Sequence, residues 1–336
     1  MDELNDFTTL WSPDDALNNE IEYVSRTSQL IKNQIHRVIV GKDDLIEQLF
    51  MTLLAEGHVL LEGNPGIAKT HIAKLFALTL GCKFNRQQFT PDLLPADVIG
   101  SYVFDQKSGE FYVRKGGIFA NIVMVDEVNR ATPRTQSALL ESMEERAVTI
   151  EGTTFPLELP FMLIATESPF GFEGTYPLPE VQLDRFTIKA KVGYPDSDEE
   201  LEIIELRGGA EEDIDSVTDR EALMRMIVAV REIYVDAKVK RYIRDLVVST
   251  RMRPDLRLSA SPRASIAFLR LSKALAAIRR RDYVLPDDVK AVAPLVLGHR
   301  LVLAHDAELE GVTTETIIQK IMSSVDTGVV NVAVPY

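Results

Sequence analysis

Cysteine is almost missing from this chain: Cys82 is the single one. A lone thiol excludes an intrachain disulfide and any metal site built from several cysteines. It reads as a small apolar filler. Histidine is scarce too, with His36, His58, His71, His299 and His305. None forms an H-x-x-x-H pair or joins a carboxylate cluster of metal-site spacing, so no preformed zinc centre is expected. Long hydrophobic runs are lacking, and nothing approaches the roughly 20 apolar residues that span a bilayer. The opening residues, MDELNDFTTLW, are acidic and lack the basic-then-apolar form of a signal peptide. These absences predict a soluble, cytoplasmic protein. Positive charge is also short: 37 Lys and Arg face 51 Asp and Glu, a formal net charge of −14. Proteins that grip nucleic acid through its phosphates usually carry a basic face. Arg279, Arg280 and Arg281 form only a local stripe, so nucleic acid is not the expected partner.

What is present is an ordinary globular composition, 46% apolar and 26% charged, over 336 residues. That length suits two domains. Ser12-Pro13 followed by Asp14 and Asp15 is a helix start, with a cap, a proline in the first turn and acids at the positive end of the dipole. This N-terminal helical segment covers 1–36, and a second apolar-periodic helix covers about 42–55. Short apolar runs then alternate with helical stretches, at 58–62, 83–89, 122–125, 161–165 and 186–192. That rhythm predicts a parallel five-stranded sheet flanked by helices, over 37–192. Two hairpins interrupt it, at 101–115 turning near Lys107–Gly109 and at 147–159 turning at Glu151-Gly152. From 193 to 336 the pattern is helical, with an acid-dense stretch at 196–221, and reads as an all-helical second domain.

Residues 61–70, LEGNPGIAKT, resemble the phosphate-binding loop G-x-x-x-x-G-K-[ST] with Ala68 in place of the second glycine. The loop falls between a predicted buried strand and a predicted helix. There, backbone N–H groups and a helix N-terminus can hold phosphates. Gly63 and Gly66 allow the tight turns, and Ala68 is read as a helix-favouring methyl group of little bulk. Asn64, Pro65, Ile67 and His71 complete the loop. Lys69 is placed for the β- and γ-phosphates, and Thr70 for Mg²⁺. About sixty residues on, NIVMVDEVNRA is an apolar strand ending in Asp126 and Glu127. Asp126 is the acid expected beside Thr70 to hold Mg²⁺. Glu127 is the group expected to orient or deprotonate the attacking water.

These blocks together resemble the MoxR-type AAA+ ATPases. The resemblance runs from about residue 37 to 300 and rests on VIVGKDDLIEQ, LLEGNPGIAKT, QFTPDLLPADVIG, IVMVDEVNRATPRTQSALLESMEE, GTYPLPEVQLDRF and SPRAS. It implies an AAA+ core with a helical lid, ATP and Mg²⁺ as ligands, and assembly into a ring, often of six copies. The Ala68 variant looks normal for the family. The hairpins resemble the helix-2 insertion and the pre-sensor insertion of one AAA+ clade. Arg185 in QLDRF resembles the arginine finger that reaches a neighbour's γ-phosphate, and Arg263 in SPRAS the lid arginine that contacts phosphate in its own subunit. Val38–Gly41, with Val40 and Gly41, resembles the segment lining the adenine pocket. Arg130 and Arg134 are candidates for a subunit boundary. One position departs: ATESP stands where the family shows T-Q-N-P, so Ser168 replaces the sensor asparagine and Glu167 the glutamine. A shorter hydroxyl and an added negative charge predict slow hydrolysis, or a role shared with Thr166.

The resemblance implies chaperone-like remodelling of a partner, often one with a von Willebrand A-type domain. Three alternatives stay open: a magnesium-chelatase-like motor subunit, a nucleotide-gated ring with weak hydrolysis, and, against the charge balance, a DNA-associated motor.

Overall fold

The computed structural model describes residues 13–167, 175–205 and 214–327. Helices α1 (Pro13–Ile35) and α2 (Asp43–Leu54) lead into β1 (Val59–Glu62) and α3 (Lys69–Thr79). Next come β2 (Phe84–Gln88), α4 (Pro95–Ile99) and the hairpin β3 (Gly100–Asp105) and β4 (Glu110–Lys115). Strand β5 (Ile122–Asp126) precedes a 3₁₀ turn and α5 (Pro133–Glu145), then the hairpin β6 (Ala147–Ile150) and β7 (Thr153–Pro156). Strand β8 (Met162–Glu167), α6 (Glu180–Leu183) and β9 (Ile188–Lys191) close this part. Beyond it lie α7 (Ser197–Glu205), α8 (Arg220–Glu232), α9 (Ala237–Arg251), β10 (Leu256–Leu258), α10 (Pro262–Ile278), α11 (Pro286–Leu297), β11 (Val302–Leu303), α12 (His305–Leu309) and α13 (Thr314–Ser324).

The predicted five-stranded sheet is there, in the order β2-β5-β8-β1-β9, with every pairing parallel. Successive residues of a strand face opposite sides. Val59, Leu61, Met124 and Ile164 accordingly join one apolar cluster, with α1, α2, α3 and the lid helices. Leu60, Val123, Val125, Leu163 and Ala165 join a second, with Leu139, Leu140 and Met143 of α5. Both faces of the central strands are therefore dry, which explains runs such as IVMV.

The lid is helical as expected, with one addition: β10 and β11 form a short antiparallel pair. Its strands are too brief for a period-2 signal. Side-chain caps start α8, α9 and α10: Asp219, Asp236 and Ser261 accept from Ala222, Lys238 and Arg263 N–H at 2.8, 2.7 and 3.1 Å. Helix α1 packs against α2 and α3 of the core and against α8 and α10 of the lid. The larger apolar cluster thus runs unbroken past the expected boundary near residue 193. Both hairpins turn where expected, with Gly109 at φ +71 and Glu151 and Gly152 at φ +46 and +85. They touch through the Tyr102 hydroxyl, 3.3 Å from Thr153 Oγ1.

Candidate functional site

In a parallel sheet the carboxyl ends of all strands lie on one edge, where ligands usually bind. Here that edge gathers the phosphate loop after β1, Gln88 closing β2, Asp126 closing β5 and Glu167 closing β8. Together they wall a cavity of about 530 Å³. Gly63, Pro65, Gly66, Ile67, Ala68, Lys69, Thr70 and His71 line it, joined by Asp126, Glu127, Thr166 and Glu167. Asn64 contributes its carbonyl: the Lys69 ammonium donates to Gly63 O and Asn64 O, each at 2.6 Å. Burial holds Lys69 below its ordinary pKa, only partly offset by Asp126 and Glu127.

The loop glycines do different work. Gly66 has φ +84, a true turn position. At Gly63 an added Cβ would lie 2.6 Å from Val192 O, so that glycine serves close approach to β9. Ala68 is not in helical dihedrals: it caps α3 at φ 61, ψ 17, left-handed. That corrects the expectation of a helix-favouring residue. Its methyl group costs about 1 kcal/mol relative to glycine in this region.

The Thr70 hydroxyl donates to Asp126 Oδ1 at 2.9 Å. A hydroxyl and a carboxylate together are a hard-oxygen pair suited to Mg²⁺. Among the described residues no three His, Cys, Asp or Glu side chains converge into a metal cage. A cation here would take its other ligands from phosphate and water, as Mg²⁺ commonly does. Glu127 holds a left-handed backbone, φ 56, ψ 54, uncommon for a non-glycine residue. Thr166 pins it by accepting the Glu127 N–H at 2.9 Å. The Glu127 carboxylate accepts from Gln88 Nε2 at 3.0 Å and from Arg130 Nη1 at 2.9 Å. Arg130 thus turns toward its own chain, while Arg134 is exposed at the start of α5. Ser168 lies outside the described residues. Glu167 does not add bare charge: Lys189 sits 2.7 Å from Glu167 and 3.2 Å from Glu62. Burial alone would lower the Lys189 pKa, but these two carboxylates raise it above its ordinary value.

A second cavity of about 540 Å³ adjoins the first across Pro65–Ala68. Val38, Ile39 and Val40 form one wall, and Tyr194, Ile203 and Ile204 the other. Those apolar walls suit a flat base. Gly41 is not on the lining but has φ +64, and a Cβ there would collide with Glu199 of α7 at 1.9 Å. It lets α7 pack closely beside the pocket.

Arg185 and Arg263 are elsewhere. Arg185 precedes β9, whose first residue pairs with Val59 at the start of β1. It therefore sits at the amino edge of the sheet, and lines a cavity there with His58 and Thr187. Each strand residue advances about 3.3 Å, so a four-residue strand separates the two edges by about 13 Å. Arg185 Nη1 donates to Leu140 O at 2.7 Å, and Nη2 lies 3.6 Å from Glu144. Arg263 pairs with the same Glu144, and lies 3.7 Å from Asp184. The structure does not bring Arg263 to the phosphate loop of its own chain.

Known proteins resemble this chain in both its sheet-bearing and its helical part. Residues 58–188 match the ATPase family associated with various cellular activities (AAA), and residues 248–321 match the AAA lid domain. The chaperone MoxR1 of Mycobacterium tuberculosis is 42% identical over 311 residues, covering 90% of this chain and 82% of that protein. This chain belongs to the MoxR family of AAA ATPases. The uncharacterised protein YeaC of Bacillus subtilis is 45% identical over 293 residues, covering 87% of this chain and 92% of that one. A crystal structure of a protein from Cytophaga hutchinsonii taken to be an ATPase superposes with a TM-score of 0.87 at 37% identity, over 93% of this chain and 98% of that chain.

Within this MoxR-type site, sequence reasoning missed Arg86. Its Nε donates to Asp126 Oδ2 at 2.6 Å, competing with Thr70 for the same carboxylate. It also missed Gln88 as a partner of Glu127. Arg86 and Gln88 stand two apart on β2 and so share a face. An arginine inside a strand-length run, FNRQQF, was the available signal.

Proposed function

We propose that the chain hydrolyses ATP with Mg²⁺ at a site shared between two copies in a ring, and that the ring does chaperone-like work on a partner protein. The observation that carries this reading is the separation of Lys69 and Arg185 on opposite edges of one sheet. A finger that cannot reach its own phosphate loop serves a neighbour's.

Each residue then has a task. The loop N–H groups and the start of α3 bind the phosphates. Lys69 exchanges the Gly63 and Asn64 carbonyls for phosphate oxygens. Thr70 and Asp126 hold Mg²⁺, which neutralises charge on the phosphoryl oxygens when bound. For this, Arg86 must release Asp126. Glu127 orients the attacking water and takes its proton, once Gln88 and Arg130 give up its carboxylate. Arg185 leaves Leu140 O and Glu144 to meet the developing charge on the next copy's γ-phosphate. Arg263, held by the same Glu144, reaches across with it; on this reading the lid arginine acts on the neighbour's nucleotide.

The chaperone role follows the name of the mycobacterial relative. A hexamer, a von Willebrand A-type partner and a cytoplasmic setting complete the reading. Exposed Phe104, Phe111 and Tyr112 on the first hairpin offer a partner contact. A second reading, a nucleotide-gated ring with weak hydrolysis, draws support from the double hold on Glu127.

The test is steady-state ATPase and fluorescent-ADP binding on the wild type, Glu127→Gln and Arg185→Ala. Shared hydrolysis predicts that both variants bind ADP normally and lose turnover. Wild-type binding without turnover would favour the gated ring. Full turnover by Arg185→Ala would overturn the shared site.

A further inference from the structure

The finger is not a free loop of the core. Arg185 lies in the segment Asp184–Thr187, and the lid grips that segment on both sides of it. The grip comes chiefly from Arg300, which follows α11 and is only 4% exposed. Its Nε donates to Asp184 Oδ1 at 2.8 Å, and its Nη2 to Asp184 O at 3.2 Å and Phe186 O at 2.6 Å. Its Nη1 donates to Thr187 O at 3.1 Å and, within the lid, to Val296 O at 2.6 Å. His299 Nε2 adds a bond to Phe186 O at 3.0 Å, and the Ser261 hydroxyl donates to Asp184 Oδ2 at 2.7 Å.

Holding a loop by burying a guanidinium is costly, and packed apolar residues often give equal stability. What a guanidinium adds is direction: a rigid planar fork fixes several acceptors at once. Here the acceptors flank one side chain, Arg185, whose reach decides whether a neighbouring site is complete.

We propose that Arg300 is a positioning residue: it makes the finger segment travel with the lid, so that lid orientation in one copy sets the finger offered to the next. This rests on the shared-site reading above. Displacing a catalytic group by about 1 Å can cost as much as a hundredfold in rate. Loosening Arg300 therefore harms the neighbour's site and spares the chain's own nucleotide binding.

The test separates finger donors from finger acceptors. A Lys69→Ala copy has a finger and no working phosphate loop. An Arg185→Ala copy has the loop and no finger. Mixed, they recover hydrolysis if sites are shared. Arg300→Lys is then placed in one partner at a time, with fluorescent-ADP affinity and thermal melting measured on each variant. In the donor, it is expected to lower the recovered rate roughly tenfold to a hundredfold. In the acceptor, whose finger is already gone, it is expected to change that rate less than about twofold and leave ADP affinity intact. Asp184→Asn, which removes the charged acceptor and keeps the shape, replaces Arg300→Lys if that variant melts early, with the same expectation. No recovery in the parent mixture would overturn the shared site and this inference with it. Recovery with equal loss from either placement, or with no loss from the donor, would overturn the positioning role alone.

Discussion

At the carboxyl edge of the sheet, Lys69 and Arg86 face an open cavity of about 530 Å³. At the amino edge, Arg185 and Arg263 converge on one carboxylate, Glu144, and the segment carrying Arg185 is clamped by the lid. The first edge is set to receive a ligand. On the proposed reading, the second delivers a charge to a neighbour. Lys69 and Arg86 need only swing locally, since their partners are neighbours in the same cavity. Arg185 needs its whole segment aimed, and the bonds from Arg300 and His299 do that. On the proposed reading, one chain carries two half-sites: one whose side chains stand in an open cavity, the other whose backbone is held by the lid.

The largest effects should break this contrast directly. Lys69→Ala should abolish nucleotide binding, read by fluorescent-ADP titration. Arg185→Ala should leave that affinity within a few-fold of wild type and lower kcat about 10³-fold. Equal loss of binding in both would erase the distinction between the edges.

Next in size is a pH effect at the amino edge. His58 is buried and neutral: Leu163 N–H donates to its Nδ1 at 3.0 Å, and its Nε2 faces Met143 O at 3.1 Å. Burial, helped by Arg146, lowers its pKa to about 4 against the bond to Met143, from an ordinary 6.5. His299 is lowered well below 6.5 as well, by burial first and then by Arg300. Between pH 6.5 and 4 the unfolded chain holds protons that the folded one refuses, so stability rises with pH across that window. His58 alone should contribute about 3 kcal/mol at neutral pH that is lost on acidification toward pH 4. Urea unfolding at several pH values should show the slope, and His58→Asn should flatten it. An unchanged slope would show that these histidines do not govern acid sensitivity.

At the carboxyl edge, the Glu62 and Glu167 positions pair directly across β1 and β8, with Lys189 between their carboxylates. Lys189→Met leaves two like charges facing each other. It should cost about 2 kcal/mol in urea unfolding, less than for a fully buried pair. A neutral outcome would mean water already screens them. The smallest expected effect is a gain. Ala68→Gly relieves a left-handed alanine and should stabilise by at most about 0.5 kcal/mol, after the entropy cost of glycine in the unfolded chain. A loss on denaturation would show that the strain is not released.

Much of the carboxyl edge was legible in the sequence because its chemistry is local. A loop of ten residues and a strand ending in two acids need only chain order to be recognised. The sheet was legible for a related reason: runs such as VLL and IVMV are apolar on both faces, which a doubly covered strand requires. The amino edge was less legible because its contacts are long-range. Nothing in SPRAS says that Arg263 meets Glu144, 119 residues earlier. Nothing in GHRL says that Arg300 crosses to Asp184, 116 residues away. Ala68 misled for a third reason: propensity favours a helix for alanine, and tertiary geometry set a left-handed cap instead. Arg86 hid in a strand whose alternation was too polar to stand out.

On the proposed reading, a working site needs two copies. The most direct measurement is ATPase rate per subunit against protein concentration, with sedimentation velocity on the same samples and Glu127→Gln as the blank. A shared site predicts a specific rate near the blank where the chain sediments as a monomer, rising and saturating as it assembles. A full, concentration-independent rate in samples that sediment as monomer would contradict it.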